Sequence, residues 1–224
     1  NESLYSIIET DQKHIKSQSI KSTVDSSVSN AILKTLNGKK ILVLCGQNSG
    51  TKDLNRALVK FNQNTNVVVL NENTSGLNDS SFINCIDRTL NSIDSNNSGE
   101  FIPEILITIG DAVVSKRIKT FFMQNAPETH IAINHSNVGI DLFLRLDIHL
   151  KMEATHFFNE VNASNTLINT TNFEAKWRAI DLFAKDLLVG FFNTEKSNTD
   201  IQVVHLLNQY IQNDSIIHMA NSSV

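Results

Sequence analysis

Short unbroken apolar runs alternate along this chain with longer stretches in which apolar residues recur every three or four positions. "KKILVLCG" (39–46) is such a run closed by Gly, the pattern of a strand buried on both faces. In "KDLNRALVKFNQ" (52–63), Leu54, Leu58 and Phe61 fall on one helical face. The alternation continues with a strand in "NVVVLNE" (66–72), a helix in "SFINCIDRTLNSI" (81–93) and a polar loop in "SNNSGE" (95–100). A strand at 104–109, a helix at 114–124, a strand "HIAIN" (130–134) and a last strand within "LRLDIHLKM" (144–152) follow. Ahead of them, "SSVSNAILKTLNG" (26–38) reads as a helix with a Ser cap and a terminal Gly.

Strand–helix alternation of this kind predicts an α/β fold: a Rossmann-like three-layer α/β/α domain around a mostly parallel sheet of five or six strands. The expected strand order is 3-2-1-4-5-6. Ligands in such sheets bind beyond the carboxyl ends of the strands, which directs attention to "GQNSGTKD", "NENTSGLND" and "GDAVVSKR". The character changes after residue 161. "NASNTLINTTN" (162–172) reads as a linker, and "FEAKWRAIDLFAKDLLVGFFN" (173–193) as a long amphipathic helix carrying the single Trp. A second helix at 200–212 and a strand in "SIIHMA" (215–220) complete the pattern, so the domain boundary falls near residue 165. The apolar faces of Phe183, Leu187, Phe191 and Phe192 need cover, from the preceding domain or from a second copy of the chain.

With 224 residues, 41% of them hydrophobic, the chain can bury a substantial core. A net charge of −4 argues against a general nucleic-acid binder. No apolar run approaches the roughly 18 residues that a membrane span needs, and the N-terminus has no export pattern, so a cytoplasmic location is expected. Cys45 and Cys85 both sit in apolar settings and read as isolated buried thiols. The histidines show no metal-binding spacing, the closest pair being His130 and His135, and no metal site is expected. The chain opens on Asn and ends on an apolar run followed by "NSSV", which reads as an excised fragment.

Three motifs suggest chemistry. "GQNSGTK" (46–52) resembles a phosphate loop, but its spacing is neither that of a Walker loop nor GxGxxG, so an ordinary strand-to-helix turn fits better. Gly110-Asp111-Ala112 with Asn134 downstream resembles the Gly-Asp-Gly…Asn clamp that holds Mg²⁺ and a diphosphate. Its third glycine is missing, and an Asp capping the next helix explains Asp111 without metal. "SKR" (115–117) puts Lys116 and Arg117 where a helix already carries partial positive charge. Either this is a solvated first turn, or amides, dipole and two cations converge on a carboxylate or phosphate. The residue pattern alone leaves both open.

The stretch "ILITIGDAVVSKRIKTFFMQNAPETHIAIN" resembles the middle domain of 2-succinyl-5-enolpyruvyl-6-hydroxy-3-cyclohexene-1-carboxylate (SEPHCHC) synthases, thiamine-diphosphate enzymes of menaquinone biosynthesis. That family shows a strand, a "TIG" turn, "SK(R/K)" opening a helix, and His at the next strand. "NENTSGLND" (71–79) is similar to its "ENTS" loop, with Gly76 where a polar residue is more usual. "IHMANSSV" (217–224) is similar to the start of its cofactor domain.

The resemblance implies a middle domain over 1–165 and, over 166–224, a linker helix with the start of a diphosphate-binding domain. It implies that the complete enzyme, with thiamine diphosphate and Mg²⁺, decarboxylates 2-oxoglutarate and adds the resulting carbanion to isochorismate, as a homo-oligomer (dimer or tetramer). Lys116 and Arg117 match a basic pair facing that active site, and Asn221 and Ser222 match an Asn-Ser at the substrate and cofactor pocket. The catalytic Glu and the complete cofactor ligand sets lie outside the resembling segments, so the fragment alone is expected to bind no cofactor and to be inactive. Two alternatives remain: the middle domain of another thiamine-diphosphate enzyme, such as an acetolactate synthase, or a non-catalytic nucleotide-binding module.

Overall fold

A computed structural model of the protein describes residues 16–18, 32–48, 50–64, 66–135, 141–164, 171–194 and 199–217. The strands are β1 (Lys16–Gln18), β2 (Ile41–Cys45), β3 (Val67–Asn71), β4 (Ile105–Ile109), β5 (Thr129–Asn134) and β6 (Leu146–Lys151). The helices are α1 (residues 32–36), α2 (Lys52–Asn62), α3 (Ile86–Asn91), α4 (Lys116–Gln124), α5 (Ala154–Ser164), α6 (Phe173–Thr194) and α7 (Asp200–Tyr210).

All five strand pairings are parallel, and the sheet order is β3-β2-β4-β5-β6-β1. The α/β three-layer architecture read from the pattern is therefore present. The expected strand order is not. Counting from β2, the order is 2-1-3-4-5, with the short β1 added at the far edge. Apolar periodicity says where strands are, but the side on which each crossover lands decides their order. Here the long connection after β3 returns across β2, so the chain reverses direction after one step rather than two.

The core follows from the two-residue period of a strand. Ile41, Val43, Cys45, Val67, Val69, Ile105, Ile107 and Ile109 point to one face, against α1, α2 and α5. Leu42, Leu44, Val68, Leu70 and Leu106 point to the other, against α3, α4 and the start of α6. Because both faces are covered, the strands read as continuous apolar runs rather than alternating ones. Trp177 of α6 is fully buried, with its ring edge-on to Phe101 at 5.4 Å between centroids. Each large side chain buried this way contributes roughly 1.5–3 kcal/mol.

Several local expectations are corrected. The linker expected from 162 begins later, because α5 runs through Ser164: Ala154, Phe157, Phe158 and Val161 form a helical face whose Phe158 packs on Phe61 at 5.1 Å. The helix expected over 81–93 is only α3, since Ile83 is drawn into a bridge with Leu70 and accepts from the Asn71 amide at 2.9 Å. Residues 95–101 form a 3₁₀ turn. Cys45 is buried, but Cys85 is exposed: it precedes α3, and its neighbours Ile83 and Ile86 take the inward positions. Of the strand expected at 215–220, residues 215–217 are not strand and the remainder lies outside the described residues.

The chain divides into two compact units, Asn1–Asp181 and Leu182–Val224. In the first, Asp181 closes the packing of α6 on α3, accepting from Arg88 at 2.9 Å and from the Thr89 hydroxyl at 2.6 Å. In the second, the Phe192 ring stacks on His205 at 3.9 Å, and Phe183 and Leu187 are exposed. Among the described residues, no helix is long and apolar enough to cross a membrane.

One buried titratable group links the sheet to pH. His149 on β6 has no exposed surface, and its Nε2 donates to Asn134 Oδ1 at 3.0 Å. Burial, with a smaller contribution from Lys151, holds its pKa below the ordinary 6.5. The unfolded chain accepts a proton that the folded one resists, so stability is lost as pH falls below about 6.5. The urea midpoint, followed by Trp177 fluorescence, is expected to drop between about pH 7 and pH 5, and His149→Gln should make that decline shallower. An equally steep decline in the variant contradicts this account.

Candidate functional site

The sheet order reverses between β2 and β4, so the position where open α/β sheets take ligands lies beyond the carboxyl ends of these two strands. Here the two loops close on each other through their backbones. Gly46 N–H donates to Ile109 O at 3.0 Å and Gln47 N–H to Ala112 O at 2.7 Å, while Gln47 O accepts from Asp111 N–H at 2.8 Å. The next amide, Asn48 N–H, donates to Thr74 O at 3.2 Å in the loop after β3. A phosphate-binding turn needs such consecutive amides unoccupied. Three of them are already spent on carbonyl oxygens, so "GQNSGTK" is a structural turn, ended by Thr51, whose hydroxyl caps α2 by accepting from Leu54 N–H at 3.1 Å.

Contact this close requires glycine. A Cβ on Gly50 would stand 2.1 Å from Gly76 O, and one on Gly110 2.5 Å from Gln47 O. Gly76 has φ 68, and a Cβ on it would stand 2.7 Å from Gly50 N, which explains its presence where the resembling family more often has a polar residue.

The loop after β3 is held from within. Asn71 Nδ2 donates to Leu77 O and to Asn84 Oδ1, both at 2.9 Å, and Ser75 Oγ donates to Asn71 Oδ1 at 2.5 Å. Asn71 and Ser75 are buried, so their polar groups must be satisfied locally, and they are. This network fixes the residue that leaves β3, Glu72.

Glu72 reaches from the end of β3, past the end of β2, to the start of α4. Its Oε1 accepts from Ser115 N–H at 2.9 Å, and Glu72 itself is only 8% exposed. Ser115 is the N-cap of α4: its Oγ accepts from Ile118 N–H at 3.1 Å and donates to Asp87 of α3. The cap is therefore Ser115, and the expectation that Asp111 caps this helix is corrected. Asp111 is exposed four residues earlier, in the turn where its amide meets Gln47.

Lys116 and Arg117 occupy the first turn of α4, both exposed. Arg117 Nη1 donates to Asn91 Oδ1 at 3.3 Å, across a shallow cavity of about 360 Å³ between α3 and α4 that Lys116, Arg117 and Thr120 line. Glu72 and Asp87 thus both hold Ser115, the residue before the two exposed cations. Sequence reasoning missed both carboxylates. A Glu directly following a buried strand at the carboxyl edge was the available signal.

The other sequence candidates are not assembled with this pair. Asn221 and Ser222 lie outside the described residues. Asn134 is buried and engaged with His149, not presented with Asp111 as a diphosphate clamp. Among the described residues, no group of three His, Cys, Asp or Glu could hold a metal ion. Burial pushes the Cys45 thiol far up, which rules it out as a nucleophile at neutral pH.

Fold and edge geometry define a Rossmann-like α/β domain with an exposed basic pair at the N-terminus of α4. No family model matches the chain. Eight curated proteins do, and each is named SEPHCHC synthase. The one from Flavobacterium johnsoniae is 29% identical over 185 residues, covering 83% of this chain and 33% of that protein. The Porphyromonas gingivalis protein is 24% identical over 86% of this chain and 34% of its own length, and that of Flavobacterium psychrophilum 35% over 54% and 22%. The resemblance seen in the sequence is borne out, and the chain spans about a third of the length of the relatives it matches most fully.

The loop contacts give a direct test. Gly50→Ala is expected to lower folding stability by about 1–3 kcal/mol through overpacking. Gly99→Ala, where an added Cβ meets nothing within 4 Å, should change it by no more than about 0.5 kcal/mol. Urea denaturation of the two variants decides, and equal stabilities would refute the tight loop junction.

Proposed function

We propose that this chain is a middle-domain segment of a SEPHCHC synthase, a thiamine-diphosphate-dependent carboligase (transferase) of menaquinone biosynthesis acting in the cytoplasm. The observation that carries the reading is the common name of all eight matching proteins, two of which match over more than four fifths of the chain. In this reading the complete enzyme, a homo-oligomer, decarboxylates 2-oxoglutarate and joins the product to isochorismate. Both substrates are polyanionic, and two exposed cations at a carboxyl edge suit that chemistry. Asn221 and Ser222 enter this reading only through their match to the family's Asn-Ser. The amide occupancy of the loop after β2 counts against the nucleotide-binding alternative.

The cofactor and metal belong, in this reading, to parts of the enzyme beyond this segment. Titration calorimetry of the chain alone with thiamine diphosphate and Mg²⁺ is expected to give no saturable heat, and the chain alone no turnover of 2-oxoglutarate. Turnover by the isolated chain would overturn its reading as an inactive segment.

Lys116 and Arg117 are tested in the complete enzyme. A charge-assisted contact to a carboxylate is worth about 1.5–3 kcal/mol, so Lys116→Ala with Arg117→Ala should raise KM for one acidic substrate by roughly ten- to a hundredfold, with thiamine-diphosphate affinity unchanged. Arg117→Lys should recover only part of the loss, because it restores charge without the two-pronged geometry. Wild-type KM for both substrates in the double variant would make the pair a solvated helix turn.

A further inference from the structure

We propose that Glu72 is a positioning residue for the Lys116–Arg117 pair, an inference that rests on the substrate-binding reading of that pair. Glu72 is a carboxylate with 8% of its surface exposed, accepting from the Ser115 amide at 2.9 Å. Burying a carboxylate is unfavourable unless it is hydrogen-bonded, and a helix N-terminus is the backbone site best suited to receive one.

Its own position is fixed before it reaches α4. Glu72 N–H donates to Cys45 O at 3.1 Å and Glu72 O accepts from Ser75 N–H at 3.0 Å, so the residue is pinned both to β2 and to its own loop. The Asn71–Ser75–Asn84 network braces that loop. The carboxylate therefore carries the rigidity of the sheet edge to the residue immediately before Lys116. A second consequence follows from the geometry. The Ser115 amide is already satisfied within the chain, so a ligand carboxylate approaching α4 is met by the Lys116 and Arg117 side chains, placed by Glu72, rather than by this amide.

Hydrogen exchange on the chain and kinetics on the complete enzyme test this together. In Glu72→Ala the Ser115 amide should exchange at least about tenfold faster, while the Ile107 amide in the centre of β4 keeps its protection. KM for the substrate that depends on Lys116 and Arg117 should rise about tenfold with kcat nearly unchanged. Glu72→Gln, which keeps an acceptor oxygen, should stay within about threefold of wild type in both measurements. Adding Glu72→Ala to the Lys116→Ala, Arg117→Ala enzyme should raise KM no further, because a residue that acts through the pair has nothing left to position. Wild-type exchange at Ser115 in Glu72→Ala, a Gln variant as impaired as the Ala variant, or a full additive loss on the double-Ala background overturns the proposal. If the double-Ala enzyme has wild-type KM values, the substrate-binding reading fails instead, and the exchange result still decides whether Glu72 holds α4.

Discussion

Everything at the working edge of this domain depends on how closely three backbone loops approach one another. A parallel sheet covered on both faces leaves only its strand ends accessible, and the loops after β2, β3 and β4 meet there amide to carbonyl, with Gln47, Asn48, Asp111, Ala112 and Thr74 supplying the bonds. Such contact tolerates no side chain at Gly50 or Gly110, so backbone sterics rather than side-chain chemistry determine the shape of the edge. The result is a rim whose amides and carbonyls are paired with one another, with the residues that open α4 exposed beside it.

Electrostatics at that helix then become intelligible. Two cations in a first turn oppose the helix dipole, a cost of a few tenths to about 1 kcal/mol each when exposed. Glu72 and Asp87 answer it from opposite sides, one through the Ser115 amide and the other through the Ser115 hydroxyl. The serine cap is thus the meeting point of three elements, the end of β3, α3 and α4. Both carboxylates are engaged with Ser115, and Lys116 and Arg117 are exposed.

The layers and strands of this fold were legible in the sequence because burial on both sheet faces turns strands into unbroken apolar runs. Strand order was not, because it is decided by where each crossover packs, and the return of the chain across β2 leaves no trace in periodicity. α5 carries a readable apolar face in Phe157, Phe158 and Val161, but it follows β6 so closely that the two patterns merge. Cys85 was misread because composition reports the neighbourhood of a residue and not the direction of its side chain. At the site, the basic pair was visible as a motif. The carboxylates that hold its helix start were not, since Glu72 and Ser115 lie 43 residues apart and only the sheet order brings them together.

The same arrangement sets how far each cation can respond to an anion. The Arg117–Asn91 hydrogen bond is long at 3.3 Å, beyond the usual range for a strong N–H···O bond, so little is lost when the guanidinium turns away from it. The backbone beneath it has little such freedom, being held at Ser115 by Glu72, by Asp87 and by the cap to Ile118. A pair with fixed roots and movable heads loses side-chain entropy on binding but not helix order, and ordering costs subtract directly from affinity. Loosening the root would add the ordering of a helical turn to each binding event, a larger entropy than the two side chains carry alone. On the proposed reading of the pair as an anion site, its affinity therefore depends on the buried Glu72 at the helix start as well as on the two cations.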